Sequence, residues 1–239
     1  MKEAITENES RQQMIKQGLT AALPLVLSYV PVAITFGVLA QEAGLTLVET
    51  LLMSVLVYAG AAQFMGVNMI AVGSSTVEII VATFVLNFRH FIMSFSFMNQ
   101  LRAFSLYQKA PLTLGLTDET FAVSAIHKEK SQQKHGLIFY TTVILASYIS
   151  WIIGTLIGGL IGEIIPPQLS ESMGIALYAM FIGLLIPMVK TEIRIGLIAI
   201  LAMLINLLAG QFVTEGWAIV IGTIAGGFSG IFLLKENES

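Results

Sequence analysis

The chain has 239 residues, of which 56% are hydrophobic and only 11% charged. A soluble domain carries about 25% charged residues, and the mean hydropathy here is +0.83, so the composition is that of a membrane protein. A net charge of −3 does not suit a polyanion such as nucleic acid, and the absence of cysteine excludes disulfides, a thiolate nucleophile and cysteine metal sites.

Residues 1–17 hold six charged side chains and read as a polar tail. They are too polar for a signal peptide. Apolar stretches follow at 18–40, 48–72, 77–98, 137–162, 172–189, 194–214 and 217–234. Most reach the roughly 20 residues that cross a bilayer as helix. Lipid offers backbone groups no hydrogen-bond partner, so the spans are expected to be helical. The alternation of a membrane barrel is absent. The sequence therefore predicts an all-α, polytopic membrane protein with seven or eight membrane segments. A single transmembrane domain, 18–234, lies between a polar N-terminal tail (1–17) and a C-terminal one (235–239).

Lys and Arg set the orientation. They occur at Lys2, Arg11 and Lys16, at Arg102, Lys109, Lys128, Lys130 and Lys134, at Lys190 and Arg194, and at Lys235. The connections 41–47, 73–76, 163–171 and 215–216 have none. This places both termini in the cytoplasm but leaves a parity problem. If 18–40, 48–72 and 77–98 all cross, the basic segment after residue 99 begins outside. Either 48–72 is a broken or re-entrant hairpin, or 111–127 forms an eighth span. The eighth span is slightly favoured, although it is short and carries two carboxylates.

Polar residues inside apolar runs carry the functional information. The first group is Tyr58-Ala59-Gly60-Ala61-Ala62-Gln63-Phe64, with Asn68 beyond it. A glycine among small residues lets a helix break, and interrupted helices build many transporter sites. Tight helix packing, with Gln63 bonded to a neighbour, is the plainer reading. The second group is Asn87-Phe88-Arg89-His90, central in 77–98. An Arg at a helix centre costs roughly 2.5–3.5 kcal/mol on insertion scales, so Arg89 should face a partner or a wet cavity. His90 points about 100° around the helix from Arg89 and is either a proton carrier or a neutral interhelical group. The third group is Gly115-Leu116-Thr117-Asp118-Glu119-Thr120. Asp118 and Glu119 are the natural counter-charges for Arg89, or else the dipole-favoured first turn of a helix capped by Thr117.

Pro24, Pro31 and Pro187 fall inside spans. Asn206 and Gln211 are isolated polar points, and His127 and His135 lie in the basic segment. Gly154, Gly158 and Gly162 form one four-residue ridge and Gly222, Gly226 and Gly230 another, as close helix packing requires. No spacing suggests a metal site, phosphate loop or catalytic serine, so neither a cofactor nor enzymatic catalysis is expected. Asp118 is the only aspartate, which excludes an aspartate-pair intramembrane enzyme.

LPLVLSYVPVAITFGVLA at 23–40, YAGAAQF at 58–64, FRH at 88–90 and GLTDETFA at 115–122 together resemble the AzlC family, over about 15–235. The resemblance implies the large subunit of a branched-chain amino acid exporter in the bacterial cytoplasmic membrane. It implies a small AzlD-type membrane subunit as partner, with leucine, isoleucine, valine and often methionine exported by the proton motive force. Some members have Asp where this chain has Asn87. The candidate substrate or coupling residues are Tyr58, Gly60, Gln63, Asn87, Arg89, His90, Thr117, Asp118 and Glu119. A uniporter or channel for another small zwitterion or weak acid, or a non-transport membrane protein, are the other readings.

Overall fold

The structure, a computed structural model, describes residues 2–133, 135–162, 164, 165, 175, 179, 182, 183 and 185–233, with side chains from Arg11 onward. Half of the predicted span 172–189 lies outside these residues, and the tail 235–239 entirely so. All regular structure among the described residues is helical. The helices are α1 (Lys2–Glu42), α2 (Leu47–Leu52) with a π turn (Met53–Val57), α3 (Gly60–Ala71), α4 (Thr76–Gln100), α5 (Leu106–Thr113), α6 (Asp118–Ile126), α7 (Gly136–Ile161), α8 (Ile193–Ala209) and α9 (Glu215–Leu233). A 3-10 turn, Lys128–Gln132, joins α6 to α7. Within the described residues four helices are long and apolar enough to cross a membrane: Arg11–Glu42, α4, α7 and α9. The polar N-terminal segment continues α1, with Pro24 and Pro31 inside that helix.

The apolar stretch 48–72 is broken. Tyr58 adopts a left-handed backbone, φ 43°, and is the one non-glycine residue with positive φ among the described residues. That conformation costs roughly 1–3 kcal/mol and persists only where the surroundings impose it. The two arms fold back on each other. The Gln63 side-chain amide donates to the Ser54 hydroxyl at 3.0 Å. The Met53 methyl lies 3.7 Å from where a Cβ on Gly66 would be. In one straight helix residues 54 and 63 would lie about 13 Å apart along the axis.

The segment 111–127 does not form one continuous helix, contrary to the favoured expectation. Its residues belong to α5 and α6, joined by a tip at 114–117. Both arms lie beside the end of α4 and the start of α7. The Lys109 ammonium donates to the Met98 carbonyl, the Gln100 amide to the Ser124 carbonyl and the Tyr140 hydroxyl to the His127 carbonyl. The tip reaches further along α7, where a Cβ on Gly115 would sit 2.4 Å from Ile144 Cγ2. Asp118 and Glu119 prevent a lipid-facing span here, and the Thr117 cap starts a new helix instead.

The helices α1 and α7 run parallel, zipped by glycine. Gly18 meets Thr142, Gly154 meets Ala33, Gly158 meets Ile34 and Gly162 meets Val38. A Cβ on Gly158 would sit 2.1 Å from the Ile34 carbonyl oxygen, so the two backbones are in contact. The second ridge packs α9 antiparallel against α8, with Gly222 at Asn206 and Gly226 at Ala202. Buried Glu78 ties this pair to α4, accepting from Ser75 at one carboxylate oxygen and from the Thr214 hydroxyl at the other.

Two apolar clusters organise the core. One gathers Leu25, Phe97, Leu101, Leu116, Phe139 and Tyr140. The other gathers Tyr29, Phe36, Tyr58, Phe64 and Trp151. The tips of the two folded-back segments meet between them.

Candidate functional site

Two helix N-termini face one cavity from opposite hairpins, and they differ in chemistry. The first α-helical bond of α3 runs from the Gln63 N–H to the Ala59 carbonyl, so the N–H groups of Gly60, Ala61 and Ala62 have no intrahelical partner. No side chain caps this end, and its first turn holds no acidic residue. Its free donors and dipole therefore favour an anion. The α6 end is the reverse. Thr117 caps it reciprocally with Thr120, and Asp118 and Glu119 fill the first turn.

Long helices supply the remaining groups. Arg89 Nη1 from α4 lies 3.0 Å from Asp118 Oδ2, and these side chains are 36% and 32% exposed. The Tyr29 hydroxyl from α1 donates to Glu119 Oε2 at 2.6 Å. Having spent its proton there, Tyr29 accepts from the Thr117 hydroxyl at 2.5 Å. Trp151 from α7 stacks edge-on against Tyr29, with ring centroids 5.4 Å apart. The space these groups enclose is narrow, about 30 Å³.

Of the residues expected from sequence, Tyr58, Gly60, Arg89, His90, Thr117, Asp118 and Glu119 line this cavity. Gln63 and Asn87 do not. Gln63 is fully buried behind the wall, where it accepts from the Trp151 indole N–H at 3.1 Å. Asn87 lies about 200° around α4 from Arg89, so it projects to another side. Sequence reasoning missed Tyr29 and Trp151. Their signal was position: both lie deep inside spans, whereas membrane Tyr and Trp favour the ends.

Buried polar atoms are nearly always hydrogen-bonded. Around this cavity the Tyr58 hydroxyl, Arg89 Nε and His90 Nδ1 are buried without a hydrogen-bond partner among the described residues. No group of three His, Asp or Glu side chains comes together as a metal site among the described residues.

The family described as AzlC protein matches residues 24–165, which include every residue lining the cavity. The chain belongs to the AzlC family. This AzlC-family chain is 32% identical to an uncharacterized membrane protein of Archaeoglobus fulgidus over 228 residues, 92% of this chain and 98% of the relative. It is 30% identical to the inner membrane protein YgaZ of Escherichia coli over 200 residues, 81% and 80% of the two chains. It is 22% identical to the branched-chain amino acid transport protein AzlC of Bacillus subtilis over 208 residues, 84% and 80% of the two chains. No solved structure matches it.

Proposed function

We propose that the protein is the large subunit of a proton-driven exporter of leucine, isoleucine, valine and methionine. It works in the bacterial cytoplasmic membrane beside a small AzlD-type subunit. The name of the Bacillus subtilis relative supports the substrate class. The observation that carries the reading is the two-ended cavity: a bare helix N-terminus faces a second N-terminus that carries carboxylates.

A zwitterion fits this polarity. Its carboxylate takes the N–H groups at Gly60–Ala62, the Tyr58 hydroxyl and the free edge of Arg89. Its ammonium takes Glu119 and Asp118. Proton binding at one of these carboxylates or at His90 then biases the inward–outward equilibrium. One proton moving down 100 mV supplies about 2.3 kcal/mol, equivalent to roughly fiftyfold accumulation.

The topology we favour answers the parity problem through the first repair. Because α1 and α7 are parallel, an odd number of crossings separates them. With both hairpins folding back, α4 alone crosses. Arg102, Lys109, Lys128 and Lys130 then share the cytoplasmic side, and 41–47 and 73–76 lie outside. α3, with 12 residues, is about 18 Å long, roughly half the hydrocarbon core. The units α1–α3 and α4–α6 thus enter from opposite sides, the inverted arrangement that many transporters use around a central site. The chain lacks cysteine, so single cysteines report the topology directly. Glu42→Cys and Ser74→Cys should react with an impermeant maleimide in intact cells, and Tyr107→Cys and Gln133→Cys only after permeabilisation. Labelling of Tyr107→Cys from outside would restore a crossing 48–72.

Function is tested by leucine efflux from cells that lack their own exporter and are loaded with a leucine dipeptide. Efflux should require both subunits and stop with a protonophore. Efflux indifferent to the protonophore would favour the uniporter, and its absence with both subunits inserted would overturn the leucine assignment.

A further inference from the structure

The charged groups lie on one side of the cavity, along α4 and the α6 tip. The uncharged lining includes a group of Ala59, Gly60, Ala61 and Trp151. A zwitterion whose carboxylate sits at the N–H groups of α3 and whose ammonium sits at Asp118 and Glu119 lays its side chain against the apolar lining beside the start of α3. Trp151 is its one large member, and its presentation is specific. The indole N–H is turned away and satisfied by Gln63 Oε1 at 3.1 Å. The hydrocarbon edge of the six-membered ring presses on the start of α3, where a Cβ on Gly60 would sit 2.8 Å from Trp151 Cη2.

The ring cannot easily turn. Gln63 donates to the Ser54 hydroxyl at 3.0 Å, Ser54 pairs with the Thr155 hydroxyl at 2.7 Å, and Thr155 donates to the Trp151 carbonyl at 2.9 Å. This closed circuit joins α7, α3 and the π turn, and its side chains are all buried. Tyr29 braces the indole edge-on.

We propose that Trp151 is the specificity-determining residue for the transported side chain, setting its upper size limit, and that Gln63 is the positioning residue that holds the indole in place. The proposal rests on the zwitterion reading of the cavity and adds the basis of selection. A pocket wall discriminates neighbouring apolar side chains by roughly 10–200-fold per methylene, so a shift of this order is the expected readout.

The test uses the full chain with its small subunit, measuring leucine and phenylalanine efflux in parallel. Trp151→Leu should lower the leucine-to-phenylalanine preference at least tenfold while leaving the protein in the membrane. Gln63→Leu should lower it less. In a Trp151→Phe background, which has no indole N–H to hold, Gln63→Leu should add nothing. A merely structural Gln63 would lower both rates and leave the preference unchanged.

A second readout does not depend on transport. Trp151 and Trp217 are the only tryptophans, so Trp217→Phe leaves Trp151 as the sole fluorophore. Leucine should shift its emission, and so should any amino acid that fits. Leucine export with unchanged preference in Trp151→Leu and no emission shift would overturn the wall. If leucine is not exported but another amino acid shifts the emission, with a size cut-off that moves in Trp151→Leu, the wall stands and the leucine assignment falls. No shift across the panel and no export would overturn both.

Discussion

Arg89→Gln should lower leucine efflux about a hundredfold while membrane protein levels stay near normal. The Arg89–Asp118 pair is the ionic contact between α4 and the tip of the second hairpin, at 3.0 Å. A hydrogen bond to a charged group is worth about 1.5–3 kcal/mol, and the upper value corresponds to roughly a hundredfold. The pair is a third exposed, so its loss should not unfold the chain as breaking a fully buried pair can. Two things go wrong together. Asp118 loses its counter-charge, and in the proposed mechanism the substrate carboxylate loses a cation. Replacing Asp118 with Asn and Glu119 with Gln together should stop transport from the other end, by removing the proposed ammonium site. The check is an efflux rate normalised to immunoblotted membrane protein. Full transport by either variant would defeat the assignment of these charges.

Gly158→Val should destabilise the protein more than any substitution in the cavity. Even the first carbon of the new side chain would lie 2.1 Å from a backbone oxygen of α1, and backbone cannot move aside by changing rotamer. Overpacking a tight core costs about 1–3 kcal/mol where side chains can yield. Here the helices must separate along the contacts from Gly154 to Gly162, so a loss of at least about 3 kcal/mol is expected. Detergent-solubilised protein should show this as a large fall in melting temperature and poor recovery. Gly44→Ala is the control, because a Cβ there meets nothing within 4 Å. Its positive φ of 89° adds only local strain. Equal stability of the two variants would mean that α1 and α7 are not in contact as described.

Much of the lining of the candidate site was legible because charge inside an apolar run is expensive. Arg89, Asp118 and Glu119 stood out for that reason, and Thr117 through cap chemistry. Gly60 and Tyr58 were visible as a weak point in a long helix. Tyr29 and Trp151 were not, because an aromatic in an apolar span looks like core until its hydroxyl or N–H is traced to a partner. Asn87 does not line the cavity, because two residues along a helix means nearly the opposite face from Arg89. Topology was the larger gap. Counting basic residues left two solutions, since hydropathy cannot distinguish a helix that crosses from two that meet and return. What distinguishes them is Ser54 beside Gln63 and Gly60 against Trp151, contacts that no local pattern announces.

The glycine zipper also has a consequence for biosynthesis. Its partners, such as Ile34 and Gly158, lie roughly 120 residues apart in the chain. At 5–20 residues per second, that separation corresponds to on the order of ten seconds of translation. Throughout that interval α1 has left the ribosome and its mating surface is bare. Tyr29 waits a shorter time for Glu119, but the backbone contact itself must wait for α7. The newly made α1 is therefore an orphan that the insertion machinery or surrounding lipid must shelter, and premature termination before α7 would leave a helix whose best partner never arrives. Quality control of this membrane protein should be most sensitive to events late in synthesis.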